Sequence, residues 1–125
     1  MTLLARQTPL DAYRRVDFDA RVQGCDGAAL VQLCYEHLIG ALTSALHASA
    51  RADNAAKSQA MTRALSALAA LEMGVSGEAG VAGALRQFYR GTRAAILDSV
   101  LSFDAARITA VRGDIRDIAA AMSDG

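Results

Sequence analysis

The sequence predicts an all-α protein, an antiparallel up-and-down four-helix bundle with an N-terminal arm. Hydrophobic residues make up 53% of the 125 residues, whereas aromatic residues make up only 5%. The only proline is Pro9, so this helix breaker is absent from Leu10 to Gly125. Four segments of about 20 residues carry apolar residues at helical spacing, and short connections between them make neighbouring helices antiparallel.

The N-terminal residues differ in pattern from the rest of the chain. Residues 1–25 have mixed charge and weak periodicity, so we expect an N-terminal arm. Residues 26–125 then form the four-helix bundle. Asp26 is a candidate N-cap for a first helix that runs to about Ala50.

This first helix is unusually apolar between Leu30 and Leu42. The stretch reads LVQLCYEHLIGAL and contains one charged residue, Glu36. At about 100° per residue its apolar side chains cover half of the circumference, and Leu33 lies apart from them among polar residues. Two explanations remain open. The helix is central and packs against two or three neighbours, or part of its surface meets the arm or a partner helix.

The second helix begins after a short turn at residues 51–53, with Asp53 or Asn54 as its cap. It carries apolar residues at three-to-four spacing and is expected to end at Gly74, because the stretch MGVSGEAG at 73–80 contains three glycines.

The third and fourth helices follow the same logic. The third begins near Val81. Ser102 is the expected N-cap of the fourth, with Asp104 in its first turn, where the helix dipole favours a negative charge. The fourth helix has a coiled-coil-like seam at alternating three and four spacing, formed by Ile108, Val111, Ile115, Ile118 and Met122.

Charge and cysteine content exclude several classes. Formal net charge is zero and the pI is about 6.7, which argues against binding to nucleic acid or anionic membranes. No run approaches 18 apolar residues, so no membrane insertion is predicted, and the N-terminus lacks the apolar core of a secretory signal. Cys25 and Cys34 are interpreted as free thiols in a reducing cytoplasm.

No catalytic residue, metal site or cofactor is predicted. His37 and His47 are separated by about 15 Å along a helix, and no glutamate has a histidine three positions on. Cys34 lies on the apolar arc, which favours a core residue over a reactive thiolate. GEAGVAG at 77–83 lacks the spacing of a phosphate loop.

The third helix also carries three arginines on one face, Arg86, Arg90 and Arg93. This pattern is interpreted as a solvated face rather than as a patch for phosphate or an acidic partner.

Several motifs in order resemble one family. They are Tyr13-Arg14-Arg15-Val16, the stretch GCDGAALVQLCYEH at 24–37, LRQFY at 85–89 after a glycine-containing turn, and Asp104 followed by the apolar seam. Over roughly residues 10–122 the chain resembles the FliS family of flagellar secretion chaperones. It departs from the family pattern at Gly27, where proline is usual, at His37, where glycine is usual, and at Gly91, where a second aromatic residue often occurs.

The resemblance implies a cytoplasmic, non-catalytic chaperone. It would bind the disordered C-terminal segment of flagellin, prevent premature polymerisation and deliver flagellin to the flagellar type III export apparatus, with the export gate as a further contact. We expect a monomer or a weak dimer. The alternative is a self-associating helical regulatory or structural protein of the flagellar system without a flagellin client.

The resemblance also implies the candidate binding residues. The arm at residues 1–25 would be a partly ordered cap, with Tyr13 and Val16 covering a hydrophobic groove. The client surfaces would be formed by Leu30, Leu33, Tyr35, Leu38, Ile39, Phe88 and Tyr89.

Overall fold

The structure is a computed structural model that describes residues 27–75 and 80–124. These residues form four α-helices without a strand: α1 Gly27–Ala50, α2 Asn54–Met73, α3 Val81–Leu101 and α4 Ala105–Asp124. The prediction of an all-α bundle is confirmed. The chain divides into two units between Leu30 and Val31, and of the first unit only Gly27–Leu30 is described. The predicted arm and the candidate cap Asp26 lie outside the described residues.

Hydrogen bonds between α1 and α4 establish that these helices are antiparallel. Near the start of α1, the amide of Gln32 donates to the carbonyl of Ala119 over 3.1 Å. Eleven residues later, Thr43 Oγ1 accepts from Arg112 Nη1, also over 3.1 Å. Residues later in α1 therefore contact residues earlier in α4, so the two helices run in opposite directions.

The same reversal relates α2 to α3. Glu72 in the last turn of α2 forms an ion pair with Arg93 in the middle of α3. Just beyond α2, the carbonyl of Val75 accepts from Arg86, which is earlier in α3, over 2.9 Å. Helix α3 also packs against α4, to which it is joined by a three-residue connection. Successive helices thus run up and down.

The connection between α1 and α2 is a tight helix-terminating motif. The amide of Asp53 donates to the carbonyl of Ala48 over 2.9 Å, and that of Ala52 donates to Ser49 over 3.0 Å. This is the Schellman pattern, and Ala52 occupies its left-handed position with φ of 59°. Asp53 then caps α2, because its side chain accepts from the amide of Ala56 over 3.1 Å. The turn and the cap predicted at residues 51–53 are confirmed.

The start of α4 differs from the prediction. Ser102 is the C-cap of α3 rather than the N-cap of α4. The N-cap is Asp104, whose side chain accepts from the amide of Arg107 over 3.1 Å and whose carbonyl accepts from Ile108. Because Ser102 still belongs to the end of α3, the next capping residue is Asp104, and α4 begins two residues later than predicted. A carboxylate is at least as good a capping acceptor as a hydroxyl.

The core is aliphatic and alanine-rich. Its fully buried side chains come from all four helices and include Leu38, Leu42, Leu68, Ile96, Ile108 and Ile115. On α2 half of the buried residues are alanines, which allow close approach of the neighbouring backbone. The predicted seam of α4 is buried through Ile115, becomes half-buried at Ile118, and ends at Met122, which is 41% exposed.

Among the described residues, α1 is long and apolar enough to pass a composition test for a membrane span. The core helix of a bundle passes the same test. The hydrogen bonds that α1 side chains make with α3 and α4 favour this interpretation here.

Candidate partner-binding surface

The candidate residues on α1 lie mostly in the interior. Leu33, Tyr35 and Leu38 are buried, whereas Leu30 and Ile39 are half-buried. A partner could contact the three buried side chains only if whatever covers them moved. Tyr13 and Val16, the predicted groove cap, lie outside the described residues.

Leu33 is buried in an unexpected place on the helix. It is only 4% exposed, yet the residues that follow it on the same helical face, Glu36, His37, Gly40 and Ser44, are all exposed. Leu30, one turn before it, is half-buried. A residue three, four, seven or eleven positions away shares one helical face, so the cover over Leu33 does not continue along α1. The wide apolar arc of α1 is therefore core along most of its length, with a separate, local burial at Leu33.

Tyr35 and Tyr89 form a buried pair that joins α1 to α3. Their hydroxyl oxygens are 2.6 Å apart, and both side chains are almost fully buried. Burial, together with the hydrogen bond between Tyr89 and Tyr35, raises the pKa of Tyr89 well above its ordinary value. Burial likewise raises the pKa of the neighbouring thiol of Cys34. These groups stay neutral, as expected of core residues rather than of reactive ones.

Phe88 is the candidate residue of α3 that reaches the surface of the bundle. Its ring packs beside that of Tyr89, with centroids 5.8 Å apart, but Phe88 itself is half-buried. It lines an open groove of about 320 Å³ between α3 and α4. The other lining residues come from α4: Asp114, Asp117, Ile118 and Ala121. The groove has an apolar floor and an acidic rim, and we call it the α3–α4 groove.

Sequence reasoning missed this groove because it assigned Ile118 to the core seam. A signal was present. Asp114, Asp117 and Ala121 are spaced three and four apart, which places them on one side of α4. Arg112 and Arg116 lie roughly on the opposite side of the same helix.

Two of the three arginines on α3 have structural roles. Arg93 pairs with Glu72, and that hydrogen bond raises the pKa of the guanidinium. Arg86 binds the carbonyl that follows α2. Arg90 is exposed beside Gly91, where an added Cβ would meet no atom within 4 Å. On this predicted solvated face, Arg86 and Arg93 thus also bind the C-terminal end of α2.

The described residues hold no group of three histidine, cysteine, aspartate or glutamate side chains suited to a metal ion. His37 and His47 are both exposed on α1.

A second apolar surface lies at the C-terminal end of α3. Leu97 and Val100 are about half exposed, and Leu101 is 97% exposed. Arg107 and Asp98 form an exposed ion pair of 2.9 Å near this end. Val100 lies four residues after the buried Ile96, on the same side of α3, yet it is about half exposed.

Comparison with known proteins gives one match. A family model described as "FliS: Flagellar protein FliS" matches residues 9–123. The match takes in most of the predicted arm and nearly all of the four helices. No curated protein and no solved structure was found to match the chain.

Proposed function

The chain belongs to the FliS family, and we propose that it binds the disordered C-terminal segment of flagellin as an export chaperone. The family is one of cytoplasmic flagellar chaperones rather than enzymes, and flagellin is its general partner. The proposal for this chain is more specific. It holds the C-terminal segment in an unpolymerised state and delivers it to the type III export apparatus, where the export gate is a further contact.

The family match over residues 9–123 is the observation that carries this proposal. The fold is compatible with it, because long helices with an open apolar groove suit a segment that becomes ordered on binding. Such a segment loses conformational entropy when it binds, so it needs an extended contact to reach useful affinity. Catalytic groups are not required.

The binding residues are proposed in two groups. Phe88, Ile39 and Leu30 are partly accessible and are proposed as direct contacts. The buried residues Leu33, Tyr35, Leu38 and Tyr89 are proposed to support the accessible residues of their own helices or to be uncovered on binding. Tyr13 and Val16 remain the proposed cap.

A binding titration tests the proposal. The full chain is titrated with a labelled synthetic peptide of the flagellin C-terminal segment, and a peptide of the same composition in scrambled order is the control. We expect saturable binding at micromolar concentrations to the first peptide only. Absence of saturable binding would refute the flagellin assignment.

Light scattering of the free chain and of the complex gives the stoichiometry. A monomer or weak dimer that forms a defined complex with the peptide is expected. A stable oligomer that does not respond to flagellin would favour the self-associating alternative, for which the exposed residues Leu97, Val100 and Leu101 offer a surface.

A further inference from the structure

The α3–α4 groove combines an apolar floor with unpaired negative charge. Phe88 and Ile118 are half-buried, and the small side chain of Ala121 leaves the groove open at one end. Asp114 and Asp117 are exposed and make no hydrogen bond or ion pair with the residues that the structure describes. Neither aspartate caps a helix, since both lie well inside α4. The two carboxylates therefore have no stabilising contact in the described part of the fold.

The arginines of α4 that form side-chain hydrogen bonds bind other helices rather than these aspartates. Arg112 binds Thr43 of α1, and Arg107 pairs with Asp98 of α3. Arg107 lies on the same side of α4 as Asp114, seven residues earlier, but its guanidinium pairs with Asp98 and it does not line the groove. Arg112 and Arg116 lie roughly on the opposite side of the helix. Because the net charge of the chain is zero, this is a local negative field over an apolar surface rather than a consequence of an acidic protein.

We propose that the α3–α4 groove binds an amphipathic helical segment of the flagellin client that carries lysine or arginine on the flank of its apolar face. This inference rests on the proposed function and assigns one subsite of it. The apolar face of the segment contacts Phe88 and Ile118, and its basic residues lie against Asp114 and Asp117.

The size and chemistry of the groove favour this occupant. A volume of about 320 Å³ accommodates a few side chains of a helix rather than a whole folded partner. Ala121 permits close approach of the incoming backbone, as small residues do at helix–helix contacts. The same two carboxylates would repel an acidic segment. The rim therefore favours basic segments and disfavours acidic ones.

A pair of matched double variants tests the inference with the same flagellin C-terminal peptide. Asp114→Asn/Asp117→Asn neutralises the rim. Asp53→Asn/Asp104→Asn makes the same chemical change at two helix caps, which asparagine preserves. Both variants gain two units of charge, so a difference between them reports on position. Helical content by circular dichroism verifies that both are folded.

We expect the rim variant to bind the peptide roughly threefold to tenfold more weakly than the unmodified chain at low salt. The cap variant should bind within about twofold. At about 1 M salt the rim variant and the unmodified chain should converge, because charges are then screened over about 3 Å. A peptide with its lysines and arginines replaced by glutamine should bind all three proteins alike.

The possible failures are distinguishable. If the unmodified chain does not bind the flagellin peptide, the proposed function fails and this inference fails with it. If it binds but the rim variant has the same affinity and salt dependence, only the groove assignment is overturned. If the rim variant instead changes the molecular mass of the free chain in light scattering, the groove is a contact between copies of the chain, and the client assignment is again overturned.

Discussion

The buried hydroxyl pair of Tyr35 and Tyr89 provides the sharpest test of the packing between α1 and α3. In Tyr89→Phe the ring keeps its place, but the hydroxyl of Tyr35 loses the partner that lies 2.6 Å away and remains buried at 1% exposure. A buried hydroxyl without a partner destabilises a protein by about 1–3 kcal/mol. Tyr35→Phe leaves the hydroxyl of Tyr89 in the same position, so a similar loss is expected.

The double variant decides whether the hydrogen bond is responsible. In Tyr35→Phe/Tyr89→Phe both buried polar groups are gone, so the loss should be no more than about 1 kcal/mol and clearly less than the sum of the two single losses. Free energies of unfolding from urea titration provide the measurement. Losses that simply add, or single variants within about 0.5 kcal/mol of the unmodified protein, would refute the reasoning.

Three further predictions concern single positions. Ala52→Gly should stabilise the protein by about 1 kcal/mol in urea unfolding, because the φ of 59° at this position favours glycine. Ala55→Gly, at an exposed position of α2, is the control and should destabilise the protein. A loss of stability in Ala52→Gly would contradict the helix-terminating motif. Ser99→Ala should be neutral or stabilising by up to about 1 kcal/mol in thermal unfolding, because the buried Oγ of Ser99 has no hydrogen-bond partner among the described residues. A clear loss of stability would mean that this hydroxyl does have a hydrogen-bond partner. The raised pKa of Tyr89 means that the folded state holds the phenolic proton more tightly than the unfolded state does. The stability that results is fully present below the unfolded pKa of about 10. It is lost as the pH rises above that value, by up to about 1.4 kcal/mol per pH unit. Tyr89→Phe should remove that slope in urea unfolding between about pH 9 and about pH 11, and an unchanged slope would count against it.

The helix limits could be predicted because they depend on local chemistry. The end of α2 at Gly74 and the cap at Asp53 follow from glycine and aspartate at positions where they satisfy exposed backbone groups. The start of α4 was misplaced because both Ser102 and Asp104 are good capping residues. Which of them caps depends on where α3 ends, and that is set by packing.

The candidate site was less accessible to sequence reasoning. The family resemblance pointed to Tyr35 and Tyr89 on two different helices, but only the bundle brings their hydroxyls together. Leu33 was singled out because it departs from the apolar arc. Its burial beside exposed neighbours is a property of the local cover and has no signature in the periodicity of α1.

By itself the sequence determined the class of the protein, the four helices and the family, because these follow from periodicity, caps and motif order along one chain. The tertiary structure decided which apolar residues remain at the surface. Phe88 and Ile118 have the same apolar spacing as core residues, yet both are only half-buried and line an acidic groove between α3 and α4. Helical periodicity defines the face on which a residue lies, whereas burial depends on whether a neighbouring helix extends over that face.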